Sequence, residues 1–234
     1  MQLSKRDIKR LYKKYVAVNY NTEYAYKYVP LPMEYNNKKW KWEGKDFPRV
    51  ISLLEFREYM LKYNRTFETV LSFNGELDPE YEYLKYNNFR NYSYKENIHK
   101  YDLHTLDLDR YDFDFAMINQ TIEHLYDPIT AIKNVYRHMA IGGVFYANVP
   151  SNGVPHTTPF HYYTGITPTG LGAMVKLAGF DVIKIGQWGN EAYFKQMFDN
   201  IWSDYRHMQG ITDEAGYNDV NCPIITWCFA IKNK

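Results

Sequence analysis

Cysteine is almost missing from this chain. Of its 234 residues only Cys222 and Cys228 carry thiols. Two thiols so close together near the end make neither a disulfide framework nor a zinc site, so a reducing compartment is the expectation. No apolar run approaches the roughly 20 residues that a bilayer-spanning helix needs. The opening MQLSKRDIKRLYKKY is charged from its start and lacks the apolar centre of a signal peptide. Charge of one sign is also lacking: 28 Lys and Arg face 27 Asp and Glu, a formal net charge of +1. That balance gives no global drive toward nucleic acid or a membrane surface. Repeats and low-complexity tracts are absent. Together these absences predict a soluble, cytoplasmic protein without a membrane span, and they disfavour nucleic acid as a partner.

What is present is aromatic. Phe, Trp and Tyr make up 18% of the chain, and 24 residues are tyrosine. Tyrosine joins apolar bulk to a polar tip, which suits wet surfaces and sugars. An AT-rich coding sequence, which also favours Lys and Asn, would give the same excess. Charge is unevenly placed: residues 1–45 carry eleven Lys/Arg against four Asp/Glu. A solvated helix accounts for that surplus; an anionic partner is the alternative. The length suffices for one large domain, or one domain with an appendage.

Ser4 can cap a first helix, with Asp7 in the capping-box position. Ile8, Leu11, Tyr12 and Tyr15 then share one face. From Asn19 to Pro48 the pattern dissolves, and a second helix, VISLLEFREYMLKY, ends near Asn64. Seven runs then read as strands: TVLSF (69–73), FRNYSY (89–94), YDLHTLDL (101–108), FDFAMIN (113–119), VFYANVP (144–150), FDVIKIGQW (180–188) and PIITWCFAIKN (223–233). FDFAMIN is apolar enough for the middle of a parallel sheet. Between the runs lie three helices: Pro79 to Lys85 capped by Asp78, Ile129 to Met139 ended by Gly142-Gly143, and 168–178 stopped by Gly179. This alternation predicts an α/β fold: a Rossmann-like, mostly parallel sheet flanked by helices. Residues 1–65 read as a helical and irregular extension. Residues 66–234 read as the α/β domain, with 189–222 inserted before the last strand.

Open α/β sheets bind ligands beyond the carboxyl ends of their strands, where strand order reverses. Two strand ends here are rich in reactive groups. One holds Asn119, Gln120, Glu123 and His124. The other opens the long loop in ANVPSNGVPHTTPFHYYTGITPTGL, with His156 and His161. Loops of this length inside a compact domain are uncommon unless functional or disordered, and Phe160, Tyr162 and Tyr163 speak against disorder.

RYDFDFAMINQTIEHLYDPITAIKNVYRHMAIGGVFYANVPS resembles the second half of a class I S-adenosylmethionine (SAM) dependent methyltransferase. The resemblance rests on Glu123-His124, Asp127-Pro128, Gly142-Gly143 and Val149-Pro150 in order, and on the later Ala-Gly-Phe junction at 178–180. It covers roughly residues 66–190, with the last strand, antiparallel in this family, near Pro223–Lys232. It implies SAM as cofactor, held by Ser72, Asn74, Gly75, Glu76, Glu96, Asp102, Leu103, Asn119 and Gln120. The family's glycine-rich first loop is reduced here to Gly75, and Glu96 is a weak match for its ribose-binding acid. Asp102 sits where the family places a side chain near the adenine.

The resemblance further implies a sugar or glycan hydroxyl as acceptor, since the later segment is similar to methyltransferases of glycan biosynthesis. A sugar hydroxyl is a poor nucleophile at neutral pH, and histidine is its natural base. His124 is the first candidate, with His161 and Glu123 beside it. His156, Tyr162, Tyr163 and Trp188 are expected to face the acceptor, with Trp202 and Tyr205 adding to the aromatic surface. A divalent ion, Mg²⁺ or Mn²⁺, on Glu123, His124 and His161, with Gln120 or His156, stays open. So do an RNA methyltransferase with such a metal and a non-catalytic binding module on this fold.

Overall fold

A computed structural model describes residues 2–20, 34–35, 38–39, 47–74, 78–92, 101–199 and 217–234. Of the residues singled out above, Gly75, Glu76, Glu96, Trp202 and Tyr205 lie outside these segments. The chain opens with α1 (Lys5–Leu11), which the Ser4–Asp7 capping box starts as expected. After it come α2 (Phe47–Tyr63), β1 (Thr66–Ser72), β2 (Lys85–Asn91), β3 (Phe113–Asn119), α3 (Pro128–His138), β4 (Met139–Pro150), α4 (Pro168–Ala178), β5 (Asp181–Trp188), α5 (Glu191–Asp199) and β6 (Ile225–Ile231). Six strands form one sheet in the order β2-β1-β3-β4-β6-β5. The pairs β1–β2, β1–β3 and β3–β4 are parallel, while β6 runs antiparallel to both β4 and β5.

The core lies on both faces of this sheet. On one, Leu11, Ile132, Val135, Leu171 and Val175 pack against Ile118, Phe145 and Ala147. On the other, Ile51, Phe56 and Met60 of α2 meet Phe115, Tyr146, Trp227 and Phe229. Phe56 meets Phe115 and Tyr146 edge-on and stacks on Phe229, at centroid distances of 6.2, 4.7 and 5.8 Å. Burying a side chain of this size contributes about 1.5–3 kcal/mol. Among the described residues, no helix is long and apolar enough to cross a membrane. Both cysteines are free thiols.

Four local expectations change. Residues 101–108 form turns rather than a strand, because the Asp102 carboxylate takes the backbone N–H of His104 at 2.9 Å and its ring Nδ1–H at 2.7 Å. The second strand lies earlier than expected, at Lys85–Asn91, as a largely exposed edge. Gly142-Gly143 does not end α3. His138 closes the helix and β4 starts at once, with the two glycines inside a register shift opposite Phe113–Phe115. Gly142 has φ +79°, a left-handed conformation that glycine adopts without steric cost. Finally, Pro79–Tyr83 is a 3₁₀ turn that the Asp78 side chain does not cap.

Asp78 and its neighbours do other work. Arg49 of α2 forms a two-pronged pair with Glu80, Nη1 to Oε1 and Nη2 to Oε2, the latter at 2.7 Å. Asp78 stands 3.8 Å from the same guanidinium. Arg49 and Ser52 share a 3.3 Å hydrogen bond, and the Asn148 amide of β4 donates to Ser52 Oγ at 3.3 Å. Gln120 Nε2 donates to Asn148 Oδ1 at 2.6 Å. A buried polar line thus ties α2 and the segment after β1 to the ends of β3 and β4.

Candidate active site

The chain leaves β1 for β2 on one side and returns to β3 on the other, so strand order reverses between β1 and β3. At that crevice Asn74 Nδ2 donates to the Asn119 carbonyl at 2.5 Å, and Thr121 Oγ1 donates to Asn74 Oδ1 at 3.1 Å. Ser72 and Asn119 are fully buried. Ser72 Oγ lies beside Tyr81 and the Asn119 amide beside Asp78, yet neither side chain makes a hydrogen bond of normal geometry. Gln120, just beyond, holds φ +46°, a conformation non-glycine residues adopt rarely and often at functional sites.

Asp78 belongs to the same crevice, which sequence reading missed by treating it as a helix cap. It lies beside Asn74 and Asn119, and its Oδ2 makes no hydrogen bond of normal geometry. Burial, then the Glu80 charge, push its pKa up to about 7, with Arg49 opposing. An unfolded Asp78 ionises near 3.8. Below that value both states are protonated and the carboxyl costs the fold least. Between about pH 4 and 7 the unfolded chain releases the proton and the fold keeps it, so stability falls as pH rises. Asp78→Asn removes this titration. Urea unfolding should show the wild type losing on the order of 3–4 kcal/mol relative to the variant across that window. A difference that stays flat from pH 4 to 7 contradicts the assignment.

Beyond β3 the chain makes a single 3₁₀ turn at Ile122–His124. Its Glu123 carbonyl accepts the backbone N–H groups of Tyr162 and Tyr163 at 2.9 and 3.2 Å, which pins the long loop over the turn. The neck of that loop is closed at Gly165. A Cβ there would stand 2.1 Å from the Ser151 carbonyl oxygen, so only glycine permits the approach.

Three histidines meet under this loop. His124 lies 4.9 Å from His156 and 5.2 Å from His161 between ring centroids, and His156 lies 4.5 Å from His161. His124 Nδ1–H donates to the Phe160 carbonyl at 2.8 Å, and His156 Nδ1–H to that of Val154 at 3.2 Å. Both ring nitrogens of His161 are buried and unpaired. Desolvation first, then the neighbouring imidazoles, hold His161 below its ordinary pKa. Desolvation also lowers His124, against the Phe160 carbonyl. Glu123 lies behind the cluster, its Oε1 3.9 Å from His124 Nε2. Its carboxylate is wholly buried and unpaired, and desolvation pushes it up to about 7.

The remaining expected residues separate. Tyr162 is exposed, and Tyr163 is partly buried, its hydroxyl donating to the Tyr126 carbonyl at 3.2 Å. Tyr126 stacks on His104 at 3.8 Å and stands 6.1 Å from Tyr162. Phe160 is also exposed, so three aromatics rim the cluster. Trp188 does not join them: it is 1% exposed and edge-on to Tyr193, part of the core. Its place at the inner end of β5, rather than in a loop, explains that correction. Leu103 is likewise a core residue. Asp102 is engaged by His104, whose Nε2 accepts the Asp127 N–H at 3.3 Å.

Residues 58–147 match the family described as methyltransferase domain. A SAM-dependent methyltransferase from Clostridium acetobutylicum ATCC 824 aligns over 82% of this chain and 94% of its own, with TM-score 0.52 and 11% identity. One from Archaeoglobus fulgidus aligns over 79% of this chain and 94% of its own, with TM-score 0.46 and 18% identity. Phosphoethanolamine N-methyltransferase 2 of Haemonchus contortus, in complex with S-adenosyl-L-methionine, aligns over 77% and 53%, with TM-score 0.45 and 14% identity. No curated protein matches the chain. The first of these structures shares the fold, and the segment from the end of α2 to the middle of β4 carries the domain. Residues 58–147 thus match a methyltransferase domain, and the sheet with its flanking helices has the fold of the Clostridium acetobutylicum enzyme.

Proposed function

We propose that the protein transfers the methyl group of SAM to a hydroxyl of a sugar or glycan. The observation that carries this reading is the gathering of His124, His156 and His161 beside exposed aromatics, next to the crevice between β1 and β3. When bound, SAM supplies an electrophilic methyl on a sulfonium. The residues present suit it: Ser72, Asp78 and Asn119 bring buried polar atoms that make no hydrogen bond of normal geometry. Leaving such a group unpaired costs about 1–3 kcal/mol, and a cationic ligand with amino and carboxyl groups would repair it.

The protein's own part is alignment and proton removal. His124 suits the second task. Its Nδ1–H is anchored on the Phe160 carbonyl, which leaves the Nε2 lone pair as the free one, 3.9 Å from Glu123 Oε1. A lowered pKa keeps that nitrogen unprotonated at neutral pH. Phe160, Tyr162 and Tyr126 supply apolar faces of the kind that pack against sugar rings. Calorimetric titration with SAM and with its demethylated product tests the first link. Saturable binding of both is expected; heat no greater than dilution for either sinks the enzymatic reading.

A further inference from the structure

We infer that His124, His156 and His161 form a binding site for one divalent transition-metal cation of the zinc class. Each offers one ring nitrogen, and the three nitrogens lie within 4.8 Å of one another. A zinc ion bound by nitrogens at about 2.0–2.1 Å holds them roughly 3.4 Å apart in tetrahedral geometry. Closing that difference takes ring movements on the order of 1 Å, and two of the three rings belong to the loop.

Two independent features support a cation over three histidines merely packed together. The first is orientation. His124 and His156 each commit Nδ1–H to a backbone carbonyl, Phe160 and Val154. That outer hydrogen bond is how a metal-binding imidazole is usually held, with the other nitrogen turned to the ion. The second is deficit: His161 has two buried nitrogens and no partner for either, and a cation satisfies one of them. Glu123 adds a buried carboxylate with neither oxygen paired, 3.9 Å from His124 Nε2, as the neutralising charge. A nitrogen-rich set favours Zn²⁺, Co²⁺ or Fe²⁺ over Mg²⁺, which prefers oxygen ligands. This moves the metal expectation from Mg²⁺ or Mn²⁺ on Glu123, His124 and His161 to a three-histidine centre. Three protein ligands leave a coordination position open. If the methyl-transfer reading above holds, that position would take the acceptor hydroxyl and the cation would promote loss of its proton to solvent, with His124 acting as ligand in place of base; binding of the cation itself does not depend on that reading.

Co²⁺ titration of the intact chain tests the site through its visible absorption, without any turnover. One Co²⁺ per chain with a visible band of tetrahedral or five-coordinate intensity is expected, displaced by Zn²⁺. His156→Ala and His161→Ala should each weaken Co²⁺ binding at least tenfold while the circular dichroism spectrum stays that of the wild type. Should either variant misfold, His161→Gln, which keeps the volume, replaces it. Absence of a Co²⁺ band, or an undiminished band in the folded variants, overturns the site. SAM titration run in parallel separates the two claims: SAM binding without Co²⁺ binding removes the cation alone. Co²⁺ binding without SAM binding removes the methyl-transfer reading and leaves the cation site standing.

Discussion

Replacing His124 with alanine should lower turnover by about 10²- to 10⁴-fold, the range expected for a positioned proton-transfer group. The side chain is set by its neighbours on two sides. The 3₁₀ turn at Ile122–His124 places it directly beyond β3, and the Phe160 carbonyl fixes its Nδ1. On the proposed reading, truncation removes the group that acts on the acceptor, whether as base or as ligand. The crevice between β1 and β3 keeps Asn74, Asp78 and Asn119, so SAM affinity should change less than threefold. Single-turnover assays with saturating SAM separate the two effects. A loss below tenfold would shift the role to His161 or to no histidine at all.

Replacing Glu80 with alanine should destabilise the fold by about 3–5 kcal/mol, the cost of breaking a buried pair by removing one partner. Glu80 is fully buried and Arg49 nearly so. Truncation strands a guanidinium that the Glu80 charge and hydrogen bonds now stabilise. Asp78, at 3.8 Å, offers partial relief only. The double variant Arg49→Met with Glu80→Leu should recover most of that loss, since an apolar pair of similar volume often matches a buried ion pair. Denaturant unfolding measures both. A single-variant loss below about 1 kcal/mol would mean the pair sits in a wetter place than its burial indicates.

Where local chemistry decided the structure, the sequence was readable. The capping box at Ser4 and Asp7, the apolar run of β3 and the stop of α4 at Gly179 stand where their residues put them. Gly179 takes φ +119°, as a helix stop of this kind requires. Misreadings came where distant partners overrode local pattern. Leu103, Leu106 and Leu108 look like strand residues, yet each is buried from a turn that the Asp102–His104 pair shapes. Gly142-Gly143 looked like a helix stop, but pairing of β4 with β3 begins before it, at Met139. Trp188 had the composition of a sugar-facing ring and the address of a core residue. Asp78 satisfied a capping rule, while its role depends on Arg49, Asn74 and Asn119, none of which a short window includes. His124 stood out as part of a motif. Its meeting with His156 and His161 depends on the loop doubling back to the Glu123 carbonyl, which no local pattern encodes.

The most direct measurement follows the methyl group itself. SAM carrying a ¹³C-labelled methyl would be incubated with the protein and a panel of nucleotide sugars, free glycans and RNA, and read by NMR. The account predicts the label in a methyl ether on a sugar hydroxyl, matched mole for mole by S-adenosylhomocysteine. Label on RNA, or no transfer to any sugar hydroxyl while SAM remains bound, would contradict it.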